Sequence, residues 1–207
     1  MSKGFPGSGG EPLFAVVRIA RSGYYGNTVY RGTGAVMITI THIERALAAH
    51  TPGLVPSRGL MRAAVALVIC DAPAGPRLLF MKRTENEHDP WSGNICFPGG
   101  KVENGDGEPR LAAERETLEE VGLDLRNARF LGRLSDIAAA RIPVHVSCFV
   151  YETAETGPFR LMDEEVQEAF WVSLADLSDP ARHGEKVVRF DGQVMVRPGI
   201  SLPQPGE

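Results

Sequence analysis

Residues 63–70 (AAVALVIC) are apolar at every position, as in a strand covered on both faces. Residues 77–83 (RLLFMKR) read as the next strand, and with 72–76 as a turn the two predict a hairpin. Ile95 and Cys96 end a further strand that runs through Phe97-Pro98 into a turn at Gly99-Gly100. Strands are also expected at 128–134, 144–151 and 169–172, the last leading into a short helix from near Ser173. Two more, 187–190 and 194–197, flank Asp191-Gly192, a two-residue hairpin signal. Two longer helices complete the pattern. Thr41 and Glu44 form a capping box ahead of Ile43, Leu47 and Ala48, and Thr51-Pro52-Gly53 ends that helix. The second runs from about Gly107 to Val121, with Asp106 as cap, Glu108 and Pro109 in the first turn and Gly122 as stop. At about 100° per residue, Glu116, Glu119 and Glu120 share one arc of this helix, while Leu111, Leu118 and Val121 gather opposite. The leucine side is therefore expected to pack and the acidic side to face outward.

Strands alternating with few helices predict an α/β (α+β mixed) fold with a mixed sheet covered by helices. Residues 37–200 read as one domain. Residues 1–36 read as an N-terminal extension, either an addition upstream of the fold or an arm whose apolar run 13–19 serves a homodimer; 201–207 read as a tail. With 43% hydrophobic and 23% charged residues in 207, wholesale disorder is excluded. A net charge of -4 argues against extended nucleic acid as a partner. The three cysteines lack metal or disulfide spacing; Cys70 and Cys148 sit in apolar runs as small hydrophobes, which fits a reducing, cytoplasmic setting. No apolar stretch reaches the length of a membrane span, so no membrane partner is expected.

The informative segment is residues 99–123, GGKVENGDGEPRLAAERETLEEVGL. Carboxylates at i, i+3 and i+4 repel one another by about a few tenths of a kcal/mol per pair, so a helix that gathers them gains from a cation. All-oxygen ligands suit Mg²⁺ or Mn²⁺, which commonly take substrate phosphates as further ligands and can acidify a water for attack on phosphorus. Arg115 reaches Glu119 one turn on and is placed to orient it. An acidic stripe alone is ordinarily a solvated face. Gly99 and Gly100, which permit close backbone approach to a metal or phosphate, shift the balance towards chemistry.

The segment resembles the Nudix box, G-x5-E-x7-R-E-U-x-E-E-x-G-U with U apolar. Residues 115–123 match its second half, with Thr117 at an apolar position. In the first half Asp106 stands for Glu, and eight residues rather than seven separate it from Arg115, a spacing similar to that of the coenzyme A pyrophosphatase branch. The resemblance implies an α/β/α sandwich. It implies Glu116 and Glu120 as metal ligands, Glu119 as a further ligand or water-orienting group, the Gly100 carbonyl on the metal, and Arg115 among the catalytic residues. Upstream, Leu78-Leu79 and Gly93-x3-Phe97-Pro98-Gly99-Gly100 resemble that branch's signature, but its first arginine is displaced by one residue to Arg83 and Asp89 stands where its second is expected.

The implied substrate-binding set is Arg83, Trp91, Gly99 and Gly100. Arg83 would meet a diphosphate or 3'-phosphate, or simply be solvated; Trp91 would stack on adenine or anchor a loop; His88 would hydrogen-bond substrate or lie on the surface. Glu164, Glu165 and Glu168 are a candidate general-base region or a solvated turn. Three functions follow: hydrolysis of coenzyme A or acyl-CoA to 3',5'-ADP and 4'-phosphopantetheine, an ADP-ribose or nucleotide-sugar pyrophosphatase, or a non-catalytic nucleotide-binding module.

Overall fold

The computed structural model describes residues 38–57, 59–86, 91–138, 143–190 and 193–202. The expectations for residues 13–19, His88, Asp89 and the Asp191-Gly192 turn lie outside the described residues.

The chain builds a mixed eight-stranded sheet. Strands β1 (Met61–Cys70) and β7 (Val144–Thr153) run parallel over their full length. Around them lie β2 (Arg77–Arg83), β3 (Ile95–Cys96), β4 (Gly99–Lys101), β5 (Arg129–Arg133), β6 (Ile137–Ala138) and β8 (Val166–Ser173), all paired antiparallel. β9 (His183–Phe190) and β10 (Gln193–Ile200) form a separate antiparallel pair.

The expected hairpin of the first two strands is only partly formed. β1 and β2 pair at Ile69–Leu78 and Cys70–Arg77, then separate. Residues 95–101 enter the gap: β3 pairs with β2, and β4 pairs with β1 through Val65–Gly99, Ala64–Gly100 and Ala63–Lys101. The expected glycine turn is therefore itself a short strand. β2 in turn takes β8 along its length, which is why β8 starts three residues before its expected position.

Period-two alternation divides the core. Ala64, Ala66, Val68, Leu79, Met81, Phe149 and Tyr151 pack on one face with α2 (Pro109–Val121). Ile69, Leu78, Phe80, Val150 and Val172 pack on the other with Ile40 of α1 (Ile40–Ala49) and with Leu174 and Leu177 of the short α3 (Leu174–Ser178). Helices on both faces of a mixed sheet give the α/β/α sandwich.

Three helix details correct the sequence reading. The capping box of α1 sits two residues earlier than Thr41 and Glu44: Thr39 is extended, its hydroxyl accepts from the His42 N–H, and its own N–H donates to His42 Nδ1. Asp106 does not cap α2. Glu108 is its extended N-cap, as a residue before proline prefers, and its side chain makes no capping bond. The helix accordingly begins at Pro109 rather than Gly107.

The packing side of α2 is also not the leucine side. Ala112, Ala113, Thr117, Glu120 and Val121 are buried, while Leu111 and Leu118 are exposed. Ala112 and Ala113 meet Ala64 and Ala66 in one cluster, so the helix lies close against the sheet, where leucines would overpack. Thr117 fits this interface because its hydroxyl donates to the Ala113 carbonyl at 2.7 Å, satisfying the polar group within its own helix.

Gly122 stops α2 as expected, in the left-handed conformation (φ 74°) with its N–H donating to the Leu118 carbonyl. Residues 160–162 then cross the helix end, where the Arg160 and Met162 N–H groups donate to the Val121 and Glu120 carbonyls. Among the described residues no helix is long and apolar enough to cross a membrane.

A Cβ on Gly122 would lie 3.0 Å from Arg160 Cβ in a conformation L residues avoid. Gly122→Ala is expected to destabilise the chain by about 1–2 kcal/mol in urea unfolding. A change below about 0.5 kcal/mol, the scale of a neutral surface substitution, contradicts this.

Candidate active site

The site forms where β4 lies under the last two turns of α2. Gly99 has φ 142°, and a Cβ there would sit 2.3 Å from the Ala64 carbonyl oxygen, so only glycine fits. Its N–H donates to Glu120 Oε2 at 2.8 Å. Gly100 is bare for another reason: the Glu116 carboxyl carbon lies 2.5 Å from where its Cβ would be. The two glycines thus let Glu116 and Glu120 lie directly against the backbone of β4.

The three glutamates are not equivalent. Glu120 is 1% exposed, Glu116 is mostly buried and Glu119 reaches solvent. Arg115 organises the outer pair. Its Nε and Nη2 donate to Asp106 Oδ1 and Oδ2 at 2.9 and 3.2 Å, a two-bond clamp. It also meets Glu116 Oε1 at 3.0 Å, Glu119 Oε2 at 2.9 Å and the Lys101 carbonyl. The orienting role expected for Arg115 towards Glu119 is present in the geometry. Asp106, read as a cap, instead fixes this arginine, and its second oxygen accepts from the Glu103 N–H at 2.7 Å. The Arg115 hydrogen bonds hold the Asp106 carboxyl below its ordinary range.

Burial pushes Glu120 up to about 8, against the Gly99 N–H and the Arg83 charge that favour ionisation; Glu116 and Glu165 push it the same way as burial. Glu116 is raised too, by burial first, with Arg115 opposing and Glu119 and Glu165 adding to the rise. Four carboxylates therefore act on one another at the end of α2. Glu165, read from sequence as part of a candidate general-base region or a solvated turn, belongs with them: its carbonyl accepts from the Thr84 N–H, and residues 160–162 fasten the same segment to α2. Which carboxylate of that region comes near α2 depends on the crossing of the helix end.

Arg83 also joins the cluster. Its Nη1 lies 3.7 Å from Glu120 Oε1. Trp91 is placed in the turn before β3, half-buried, with its carbonyl accepting from the Asn94 N–H. Glu168 pairs with Lys82 in the β2–β8 ladder.

Among the described residues no three Asp, Glu, His or Cys side chains converge as a ready-made metal cage. Glu116 and Glu119 are engaged by Arg115, and Glu120 faces Arg83. The donor set nonetheless suits a hard divalent ion. It is all oxygen, its most buried member has two negative neighbours, Glu116 and Glu165, beside its two partners, and the bare Gly100 backbone lets the Glu116 carboxyl lie against it.

Residues 60–190 match the family model described as the NUDIX domain. The chain is 32% identical over 149 residues to the mitochondrial coenzyme A diphosphatase NUDT8 of Mus musculus, covering 68% of this chain and 67% of that protein. It is 38% identical over 112 residues to an uncharacterized protein of Schizosaccharomyces pombe, covering 51% of this chain but only 34% of that protein. This match thus spans about a third of the relative's length. Among solved structures, a NUDIX hydrolase from Alicyclobacillus acidocaldarius superposes with a TM-score of 0.48 at 19% identity, over 57% of this chain and 81% of that one.

The raised Glu120 value sets the sign of a stability test. Between its ordinary value of 4.5 and about 8, the unfolded chain has released the proton that the folded chain retains. Glu120 therefore contributes most below the lower value, and that contribution is lost as pH rises towards the upper one. In a metal chelator, urea unfolding of the wild type is expected to lose on the order of 2 kcal/mol more than Glu120→Gln over this interval. Parallel pH profiles for the two proteins contradict it.

Proposed function

This chain belongs to the NUDIX family, and from that premise we propose that it is a metal-dependent hydrolase of nucleoside-diphosphate derivatives, with coenzyme A or an acyl-CoA as substrate and 3',5'-ADP and a 4'-phosphopantetheine compound as products. The observation that carries the proposal is the stacking of Glu116 and Glu120 on Gly99-Gly100, with Arg83 at the rim of the same cluster. The coenzyme A assignment is supported by the similarity to NUDT8, a coenzyme A diphosphatase, and by the Gly93-x3-Phe97-Pro98-Gly99-Gly100 run.

In this reading Glu116 and Glu120 hold Mg²⁺ or Mn²⁺, with Glu119 and the Gly100 carbonyl as further oxygen donors. The bound ion would neutralise charge on the diphosphate oxygens and acidify an attacking water. The chain's own groups do the rest. Asp106 fixes Arg115, and Arg115 sets the directions of the Glu116 and Glu119 carboxylates. Gly99 keeps Glu120 aimed by one backbone hydrogen bond. Arg83 offers a planar guanidinium to the diphosphate, for which two parallel hydrogen bonds are the preferred geometry. Glu165, whose charge acts on Glu116 and Glu120, would accept the proton of the attacking water. Trp91 is assigned to the adenine ring.

A second reading, an ADP-ribose or nucleotide-sugar pyrophosphatase, is favoured by Asp89, which stands where the coenzyme A signature has an arginine.

The test is a Mg²⁺-supplemented incubation with coenzyme A, acetyl-CoA and ADP-ribose, with products identified by mass. Coenzyme A is expected to give 3',5'-ADP and 4'-phosphopantetheine. Turnover of ADP-ribose beside inert coenzyme A moves the assignment to the second reading. Glu120→Gln is expected to lower kcat at least about a hundredfold while retaining its circular dichroism spectrum. Undiminished kcat in that variant, or ligand binding without cleavage under any divalent ion, overturns the hydrolase reading.

A further inference from the structure

The arrangement of arginines explains why the carboxylates do not converge, and the two arginines differ in kind. Arg115 is locked by the two-bond clamp from Asp106, and its contacts run to Glu116 and Glu119. The Arg83–Glu120 contact is looser: at 3.7 Å it is an ion pair beyond hydrogen-bond reach. Arg83 stands at the last position of β2, and its side chain is 23% exposed, so one end of its range of motion lies towards solvent.

Strand alternation explains why the arginine is at 83 rather than 82. Leu79 and Met81 face α2, whereas Leu78 and Phe80 face the opposite core. Continuing that alternation puts residue 83 on the α2 side, where the Arg83–Glu120 contact is found. The ladder to β8 shifts register between Lys82 and Arg83, after which Arg83 pairs with Val166.

We propose that Arg83 is an exchangeable counter-ion: its guanidinium lies against Glu120 until a divalent cation takes its place, and it then turns to the substrate diphosphate. This rests on the metal-dependent reading above. The physical reason is that Glu120 is 1% exposed and its Oε2 is already committed to the Gly99 N–H, which leaves Oε1 to a single cation. A guanidinium and a divalent ion at that oxygen would repel each other in a site too buried for water to screen them. Displacement also supplies the diphosphate with the fork that it binds best. Metal and substrate would then favour each other's binding, since substrate draws Arg83 away from Glu120 and metal releases Arg83 to the diphosphate.

The test is calorimetric titration of Mg²⁺ into wild type, Arg83→Gln and Arg83→Lys, all at one fixed alkaline pH and without substrate. Arg83→Gln is expected to bind Mg²⁺ about fivefold more tightly than wild type, because no cation has to leave. Arg83→Lys, which keeps the charge, is expected to stay within about twofold of wild type. In the wild type, the Arg83 Nε–Hε NMR resonance is expected to move on Mg²⁺ addition and to exchange faster with solvent, a readout that needs no variant to fold. Equal or weaker Mg²⁺ binding by Arg83→Gln, tightening by Arg83→Lys to the same degree, or an Arg83 resonance unmoved by saturating Mg²⁺ overturns the exchange while leaving the hydrolase reading in place. Absence of Mg²⁺ binding by the wild type overturns both.

Discussion

A carboxylate is held out of water at the seam between α2 and β4, and the surrounding architecture follows from that constraint. Glu120 needs a backbone donor, which Gly99 supplies, and Gly99 can do so only because it lacks a side chain that would strike Ala64. The helix must lie close to the sheet for the carboxylate to reach that N–H. Ala112 and Ala113 against Ala64 and Ala66 permit the approach. The gap between β1 and β2 is part of the same construction, because it admits residues 95–101 into the sheet beneath the helix. Residues 160–162, hydrogen-bonded to the Glu120 and Val121 carbonyls, fix the helix end from the other side. Packing, glycine placement and strap together put a charge-bearing group where bulk water does not stabilise it.

Such a group requires positive charge from somewhere, and three sources are available at this seam: a proton, the Arg83 guanidinium or a divalent ion. The neighbouring carboxylates sharpen that requirement: Glu116 and Glu165 raise the cost of ionising Glu120, and Glu119 and Glu165 that of ionising Glu116. Arg115 relieves the outer part of it, and Asp106 keeps Arg115 in place. Glu120 is left with the Gly99 N–H and the Arg83 guanidinium as its compensation. In the proposed hydrolase the innermost carboxylate would hold the ion.

Much of this could be read along the chain, and the failures have a common cause. The bounds of β2, the stop at Gly122 and the grouping of residues 115–120 depend on local pattern, and the structure has them as expected. The packing side of α2 was misread because a helical wheel ranks residues by hydrophobicity, whereas here the fit to the sheet selects alanines and leaves Leu111 and Leu118 exposed. Asp106 was misread because an aspartate near a helix start signals a cap, and only the tertiary position of Arg115 shows its other partner. Glu165 could be named from sequence only together with Glu164 and Glu168, since the crossing of the helix end by residues 160–162 decides which of them comes near α2. The one-residue displacement to Arg83 looked like a defect in a motif. Strand alternation makes 83 the position that faces Glu120.

The central claim is that the inner carboxylate lacks a permanent counter-charge and receives one from a divalent ion. Infrared difference spectroscopy on the chain with and without Mg²⁺ at neutral pH addresses it directly. The account predicts a buried protonated carboxyl stretch in the metal-free wild type that disappears on Mg²⁺ addition and is missing from Glu120→Gln. A metal-free spectrum without that band, or a band that persists at saturating Mg²⁺, would contradict it.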